Sequence, residues 1–193
     1  MSDLKALMLR EPRLTLAVAE SLTCGRLQAR IGAISGASDF FLGGVTAYSL
    51  DQKVRHLGVN RAGAAAVNSV SGAVAEQMAR GACILFRADV GVATTGYAEA
   101  SAQWRVAAPF AWWALARRGP RGGFSFARGR VDCPGLSRVE VQERVAEAAF
   151  DALAGWLRGR AARYRTGAAA PRSAPSPSRC RAAPASCSSC CRV

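Results

Sequence analysis

The sequence predicts an α/β fold, in which helices pack against a β-sheet. Apolar runs of strand length alternate along the chain with segments whose apolar residues recur at helical spacing. In addition, half of the 193 residues are hydrophobic, which is sufficient for one domain with a well-formed core. We therefore expect a single layered domain over residues 1–160, followed by a segment of different composition.

The first half of the domain opens with a short amphipathic helix over residues 3–11, which Pro12 ends. An apolar strand then ends near Glu20. The next helix has apolar residues at helical spacing from Leu27 to Ile34. A second strand follows over residues 40–48. The predicted order of elements in this part of the chain is therefore helix, strand, helix, strand.

The second half continues the alternation. A helix over residues 51–57 and an Ala-rich turn or short helix over 62–68 precede a longer helix, 72–86, that Ser71 can cap. The remaining elements are a strand over 89–96 that ends in a hydroxyl-rich turn, strands over 109–116 and 123–133, and a last helix that begins at Ser137. This order is typical of a layered α/β domain.

The composition changes at Ala161. Residues 161–193 consist almost entirely of Ala, Arg, Pro, Ser and Cys, so they cannot bury a core and are predicted to be a disordered tail. The tail holds six arginines and no acid, and it therefore supplies six of the thirteen net positive charges. The other positive charges are scattered over the domain. We expect nucleic acid to bind weakly at most, through the tail.

The sequence also limits the location of the protein. It contains no run of about 18 apolar residues, so we expect no membrane span. The charged N-terminus does not resemble a secretory signal. Three of the seven cysteines are widely spaced in the domain, and the tail cysteines Cys187, Cys190 and Cys191 lack a second pair of zinc ligands. We expect a cytoplasmic protein with reduced thiols and no bound metal.

The stretch from Leu14 to Gly25, LTLAVAESLTCG, is the first candidate for a functional site. It is read as a strand, a tight polar turn and the start of a helix. This geometry places hydroxyls, the Cys24 thiol and free backbone N–H groups at a helix N-terminus, which attracts anions. Glu20 is expected either to orient a nearby lysine or to cap the strand end.

Hydroxyl-bearing turns follow three strand-like segments, at Ser21 and Thr23, at Tyr48 and Ser49, and at Thr94 and Thr95. Because ligands bind at the carboxyl ends of parallel strands, these turns are expected to meet. Lys53 lies one helical turn beyond Tyr48, and a desolvated neutral lysine can serve as the base for a serine nucleophile.

Two other interpretations stay open at this point. Ser21 and Thr23 can be simple helix caps while Lys53 is a solvated surface residue. Alternatively, Cys24 can be a thiolate nucleophile, although the only histidine, His56, has no sequence link to it.

Five motifs stand in order along the chain. They are A-E-S-L-T-C-G from Ala19, Y-S-L-D-Q-K to Lys53 with L-G-V from Leu57, S-G-A-V-A-E-Q-M-A from Ser71, T-G at Thr95, and P-G-L-S-R to Arg138. In this order they resemble the signature of the CinA C-terminal domain family, the nicotinamide-nucleotide amidohydrolases. The resemblance spans roughly residues 5–158 and implies a single three-layer α/β/α domain.

The resemblance also implies an activity, the hydrolysis of nicotinamide mononucleotide to nicotinate mononucleotide and ammonia without a metal or organic cofactor. Ser21 would be the nucleophile, Lys53 the base that takes its proton, and Tyr48 a residue that assists the pair. The small-molecule partner would be a pyridine nucleotide. We also expect a homo-oligomer.

The same resemblance implies the substrate-binding residues. Thr23, Thr95 and Gly96 would position the substrate or the oxyanion, and the N–H groups of Thr23 and Cys24 would hold the oxyanion. Arg138 would pair with the phosphate, a role that suits a fork-shaped permanent cation.

One loop departs from the family pattern. Where the family has a glycine-rich loop after T-G, residues 97–104 contain no glycine after Gly96 and carry a carboxylate at Glu99. An acid near a phosphate site repels an anionic substrate. The alternative function is therefore that of a catalytically silent or divergent CinA-like nucleotide-binding protein.

Overall fold

The computed structural model describes residues 4–165, with side chains described as far as residue 160. Its elements follow the predicted order, with bounds within a few residues of those expected. They are α1 (Leu4–Leu9), β1 (Leu16–Glu20), α2 (Arg26–Gly32), β2 (Phe41–Thr46), α3 (Leu50–Leu57), α4 (Arg61–Ala65), α5 (Gly72–Leu85), β3 (Val90–Tyr97), β4 (Phe110–Arg118), β5 (Phe124–Asp132) and α6 (Arg138–Arg165).

The five strands form one mixed sheet in the order β2-β1-β3-β4-β5. β1 lies between β2 and β3 and pairs with both in parallel, because a helical crossover joins each of these strands to the next. β4 and β5 follow through loops and pair antiparallel. The register sets Glu20 beside Thr46 and Thr94, so the carboxyl ends of the three parallel strands meet at one edge of the sheet.

Both faces of the sheet are covered by helices. Successive side chains of a strand point to opposite faces. Leu16 and Val18 of β1 accordingly pack in a core with α1, α2 and α6, whereas Ala17 and Ala19 pack in a second core with α3, α4 and α5. The predicted three-layer α/β/α fold is thereby confirmed. Among the described residues, none of the helices combines the length and the apolar character needed to cross a bilayer.

Two boundaries differ from the sequence expectation. β3 does not end in a turn at Thr94 and Thr95, because its pairing with β4 continues to Tyr97, beyond the last residue of β1. The last helix continues to Arg165 and so includes the first five residues of the predicted tail. Alanine and arginine are good helix formers, which accounts for the continuation. The rest of the predicted tail, residues 166–193, lies outside the described residues.

Candidate active site

A cavity of about 370 Å³ opens where the carboxyl ends of β1, β2 and β3 meet. Six of the seven residues predicted from the sequence to act in catalysis or substrate binding line this cavity, namely Ser21, Tyr48, Lys53, Thr95, Gly96 and Arg138. The seventh, Thr23, is not among the lining residues. The edge of the sheet thus assembles groups that are up to 117 positions apart in the chain.

The side chains of Ser21 and Lys53 meet inside this cavity. Lys53 belongs to α3, a helix whose first turn is capped by the Ser49 side chain. Its Nζ lies 3.0 Å from Ser21 Oγ and donates a second hydrogen bond, of 2.9 Å, to the carbonyl oxygen of Tyr48. Lys53 is only 2% exposed and Ser21 only 7% exposed. Water therefore has little access to the contact between the two side chains.

Burial changes the acid–base properties of Lys53. Desolvation disfavours the charged ammonium and lowers the lysine pKa from 10.5 to about 8. Within the described part of the chain, no carboxylate forms an ion pair with this group to offset the penalty. A neutral Lys53 can keep one N–H on the Tyr48 carbonyl while its lone pair accepts the proton of Ser21. The arrangement therefore suits a general base.

Glu20 shapes the turn that carries Ser21. Its fully buried carboxylate accepts the backbone N–H groups of Gly25 at 3.0 Å, Leu27 at 3.2 Å and Gln28 at 2.8 Å. It therefore caps the first turn of α2, and neither of the two roles expected for it, orienting a lysine or capping the strand end, is observed. The expectation of an open, anion-attracting helix terminus was also wrong, because this carboxylate occupies it.

The backbone of the turn offers a different pair of N–H donors from the predicted pair. The N–H of Cys24 donates to the carbonyl oxygen of Ser21 at 3.2 Å, so the prediction that it holds an oxyanion was wrong. No described residue accepts the N–H of Leu22 or Thr23. Leu22 also lines the cavity. These two adjacent N–H groups are the free donors beside Ser21.

The two predicted threonines differ in whether they line the cavity. Thr23 is completely buried, and its Oγ1 shares a 2.7 Å hydrogen bond with Thr94 Oγ1. Its side chain therefore does not contact the cavity as predicted, and it instead ties the nucleophile turn to β3. Thr95 lines the cavity, but its Oγ1 donates to the carbonyl of Ser69 at 2.7 Å. Both hydroxyls are thus engaged within the protein, that of Thr23 with another side chain and that of Thr95 with a backbone carbonyl.

Two predicted residues lie at the outer part of the cavity. The Tyr48 side chain is 53% exposed, and the tyrosine contacts Lys53 through its backbone carbonyl rather than its phenol. Arg138, at the start of α6, forms a 3.2 Å ion pair with Glu99 across the rim. The guanidinium predicted to bind a phosphate thus already has an anionic partner.

Asn68 and Ser69 line the cavity and were missed by the sequence analysis. Both have left-handed backbone, with φ of 47° and 61°. Such strain is frequent at functional sites, and Asn tolerates it better than most residues. The Asn68 side chain donates to the Tyr97 hydroxyl at 3.2 Å. The one available signal was a polar Asn-Ser pair after an Ala-rich run.

The fold and the site define a three-layer α/β/α protein with a buried serine–lysine pair at the carboxyl edge of its parallel strands. Among the described residues, no group of three or more His, Cys, Asp or Glu side chains could hold a metal ion. The CinA C-terminal domain model matches residues 1–157. This chain belongs to the CinA C-terminal domain family.

Individual relatives agree with this family. A CinA-like protein from Picosynechococcus is 50% identical over 91 residues, which are 47% of this chain and 22% of that protein. A CinA-like protein from Chlorobium limicola is 46% identical over 94 residues, which are 49% of this chain and 22% of that protein. The chain thus matches only about a fifth of the length of these curated relatives.

Solved structures agree over a larger share of the chain. A competence-damaged protein (CinA) superfamily protein from Enterobacter cloacae superposes with a TM-score of 0.71 at 28% identity, covering 80% of this chain and 88% of that one. The competence damage-inducible protein A from Klebsiella pneumoniae gives a TM-score of 0.68 at 29% identity, covering 80% and 91%. The fold is therefore that of the CinA superfamily.

Proposed function

We propose that this chain is an amidohydrolase that releases ammonia from the carboxamide of a pyridine nucleotide, with nicotinamide mononucleotide as its substrate. One observation carries the proposal: the 3.0 Å contact between Lys53 Nζ and Ser21 Oγ in a cavity. The burial that lowers the lysine pKa to about 8 adds to it. The choice of nicotinamide mononucleotide as the substrate rests on the sequence motifs that resemble those of the nicotinamide-nucleotide amidohydrolases.

The proposed reaction has two steps. Ser21 Oγ attacks the carboxamide carbon while its proton passes to Lys53 Nζ. The C–N bond then breaks, Lys53 returns the proton to the leaving nitrogen, and ammonia departs from an acyl-enzyme. In the second step Lys53 takes a proton from water, the resulting hydroxide attacks the ester, and Ser21 recovers its proton. Amide and water are thus converted to carboxylate and ammonium.

The negative charge that develops on the carbonyl oxygen needs hydrogen-bond donors. The free N–H of Leu22 lies in the turn that follows Ser21, on the wall of the cavity, and it takes this role in the proposed mechanism. The Glu20 cap on α2 keeps the turn in one shape, so the donor is already in place when the charge forms. In this proposal Thr95 and Gly96, which line the cavity, form part of the substrate site.

A catalytically silent or divergent CinA-like nucleotide-binding protein is the second candidate function. The Arg138–Glu99 ion pair favours it, because the guanidinium proposed to hold the phosphate is already neutralised. Both groups are exposed, however, and exposed ion pairs contribute only about 0–1 kcal/mol. An incoming phosphate dianion can therefore replace Glu99 on Arg138 at small cost.

The deciding experiment measures ammonia and nicotinate mononucleotide after incubation of the purified full chain with nicotinamide mononucleotide. The proposal expects both products in equal amounts. Ser21→Ala and Lys53→Met should each reduce kcat by at least about 10³-fold, because nucleophile and base act as a unit. Binding of the nucleotide without any release of ammonia would favour the silent relative.

Cys24→Ala is the matched control for the nucleophile. Cys24 lies in the same turn as Ser21, three positions further on, and its side chain is exposed. Its substitution should leave kcat within about twofold of the parent value, a change of less than about 0.5 kcal/mol. If Cys24→Ala lost the activity and Ser21→Ala retained it, the nucleophile would be the Cys24 thiol and not the Ser21 hydroxyl.

A further inference from the structure

A second cavity, of about 610 Å³, adjoins the candidate active site. Val70 and Tyr97 line both cavities and so form the wall between them. The volume falls within the range of about 300–1,000 Å³ that is usual for small-molecule sites. The proposed amidohydrolase reaction uses none of this space, since the carboxamide is attacked beside Ser21 in the first cavity.

Three aromatic side chains contribute to the walls of the second cavity. Tyr97, Trp104 and Phe110 line it, and the rings of Tyr97 and Phe110 pack at a centroid distance of 5.6 Å. The Trp104 side chain is 42% exposed, which is unusual for so large an apolar group. An indole left open beside a cavity offers a face on which a planar ring can stack.

The cationic groups of the cavity differ in their availability. Arg130 lies over the Phe110 ring at 3.9 Å and forms a 2.8 Å ion pair with Asp132. By contrast, the Arg105 guanidinium forms no ion pair or hydrogen bond with any described residue. The cavity therefore presents one unpaired cation, which favours an anionic ligand.

Backbone hydrogen bonds hold the segment that carries Arg105. Residues 101–106 form a tight hairpin that is closed by two hydrogen bonds between Ser101 and Val106, of 2.9 and 2.8 Å. Arg105 lies in the turn with a left-handed φ of 53°. Strain of this kind at a non-glycine residue is typical of ligand clamps. The hairpin thus holds Trp104 and Arg105 next to each other at one cavity.

We infer that the second cavity is a subsite for an aromatic base with its phosphate, attached through a pyrophosphate to the pyridine nucleotide in the first cavity. The base stacks on Trp104 and the phosphate pairs with Arg105. This inference rests on the proposed function for the first cavity, and it extends the substrate class from pyridine mononucleotides to pyridine dinucleotides. The shared wall at Val70 and Tyr97 is where such a ligand crosses from one cavity to the other.

The test uses adenosine monophosphate as a probe of the second cavity alone, titrated into the full chain by calorimetry. Binding should persist when nicotinamide riboside, which has no phosphate to repel that of the probe, occupies the first cavity of the Ser21→Ala variant. Trp104→Ala should weaken the binding of the probe at least tenfold, whereas Trp104→Phe, which keeps an aromatic face, should weaken it less than threefold. Phe126→Ala is the matched control, since Phe126 is 43% exposed and does not line the cavity, and it should change nothing.

A second variant tests the role of charge. Arg105→Gln should weaken binding of adenosine monophosphate three- to tenfold and remove most of its dependence on salt, yet leave the binding of uncharged adenosine unchanged. Arg121→Gln, at an exposed turn that does not line the cavity, is the matched control and should have no effect. In steady-state assays, Trp104→Ala should raise the KM for a dinucleotide at least tenfold and leave the KM for the mononucleotide unaltered.

Three outcomes would overturn the inference: no binding of adenosine monophosphate at millimolar concentration, competition between it and nicotinamide riboside in Ser21→Ala, or equal affinity in the parent chain and Trp104→Ala. Different outcomes distinguish failure of this inference from failure of the proposed amidohydrolase function. Absence of ammonia release with intact, Trp104-dependent binding of the probe refutes the amidohydrolase alone. Ammonia release without that binding refutes the subsite alone.

Discussion

The carboxylate of Glu20 accepts the backbone N–H of Gln28 at 2.8 Å, across the turn that carries Ser21. Gly25 and Leu27 donate to the same carboxylate. One acidic side chain at the end of β1 thus satisfies most of the free N–H groups in the first turn of α2. The position of the turn that carries Ser21 therefore depends on this buried cap.

Glu20→Gln should lower the free energy of unfolding by about 1–3 kcal/mol, because the amide has one acceptor oxygen and carries no charge to oppose the helix dipole. The activity of the proposed amidohydrolase should fall as well, since the turn holding Ser21 loses its anchor. Urea unfolding measures the change in the free energy of unfolding. Glu143→Gln removes an exposed partner of Arg26 and should cost less than about 1 kcal/mol. Equal effects of the two variants would contradict the structural role of the cap.

The pH dependence of the proposed reaction follows from the buried Lys53. The lysine must be neutral to act as a base, and burial lowers its pKa to about 8. Below this pH the ammonium form dominates, so kcat/KM should rise about tenfold per pH unit up to pH 8 and level off above it. Ammonia release between pH 6 and pH 10 measures the profile. A flat or falling profile would exclude Lys53 as the base.

Lys53→Arg is the control for that profile. A guanidinium keeps its proton throughout the accessible pH range, so this variant should be inactive at every pH. Activity of Lys53→Arg that rises with the parent profile would assign the titration to another group.

Lys53→Met should stabilise the fold while it abolishes activity. The pKa of the lysine is about 8 in the folded chain and about 10.5 when it is unburied, so the unfolded chain binds more protons between these values. The parent chain therefore gains stability as the pH rises from 8 to 10.5, and it carries the full desolvation penalty below pH 8. At pH 7 the methionine variant should be more stable on the order of 1–3 kcal/mol, and the gap should shrink toward pH 10.5.

The other lysine of the chain provides the comparison for this stability measurement. Lys5 is part of an exposed ion pair with Asp39. Lys5→Met should change the free energy of unfolding by less than about 1 kcal/mol. The pH dependence that Lys53 causes is common to the parent chain and to Lys5→Met, so it cancels when the two are compared. Destabilisation of Lys53→Met at pH 7 would mean that its two hydrogen bonds outweigh the desolvation penalty.

The sequence predicted the fold and the elements around the site because these depend on local patterns. Helical spacing and strand alternation are both recognised from residues that lie close together in the chain, and the helix expected over residues 51–57 is found at Leu50–Leu57. The carboxyl-end rule for parallel strands then predicted that the hydroxyl-bearing segments meet. The register of Glu20 with Thr46 and Thr94 is the geometric basis of that meeting.

The predictions that were wrong concern residues whose role depends on which group they form a hydrogen bond with in the folded chain. A sequence does not say which N–H groups a carboxylate will reach, so the cap by Glu20 and the use of the Cys24 N–H inside the turn were not predictable. The burial of Thr23 against Thr94 likewise depends on the contact between two elements far apart in the chain. The Trp104 cavity was missed for the same reason, since its walls come from several segments.

Glu99→Gln should improve the binding of a phosphorylated substrate. Glu99 neutralises Arg138 at the cavity rim, and its charge repels an anionic ligand. Removing one exposed ion pair and one repulsive charge is worth about 1 kcal/mol, so the KM for nicotinamide mononucleotide should fall about three- to tenfold at unchanged kcat.

The KM for nicotinamide riboside, which lacks the phosphate, should stay the same, whereas Arg138→Ala should raise the KM for the nucleotide alone. Glu76→Gln breaks an ion pair with Arg128 away from the cavity and should affect neither substrate. An equal gain for both substrates in Glu99→Gln would show that the rim carboxylate acts on access to the cavity and not on the phosphate.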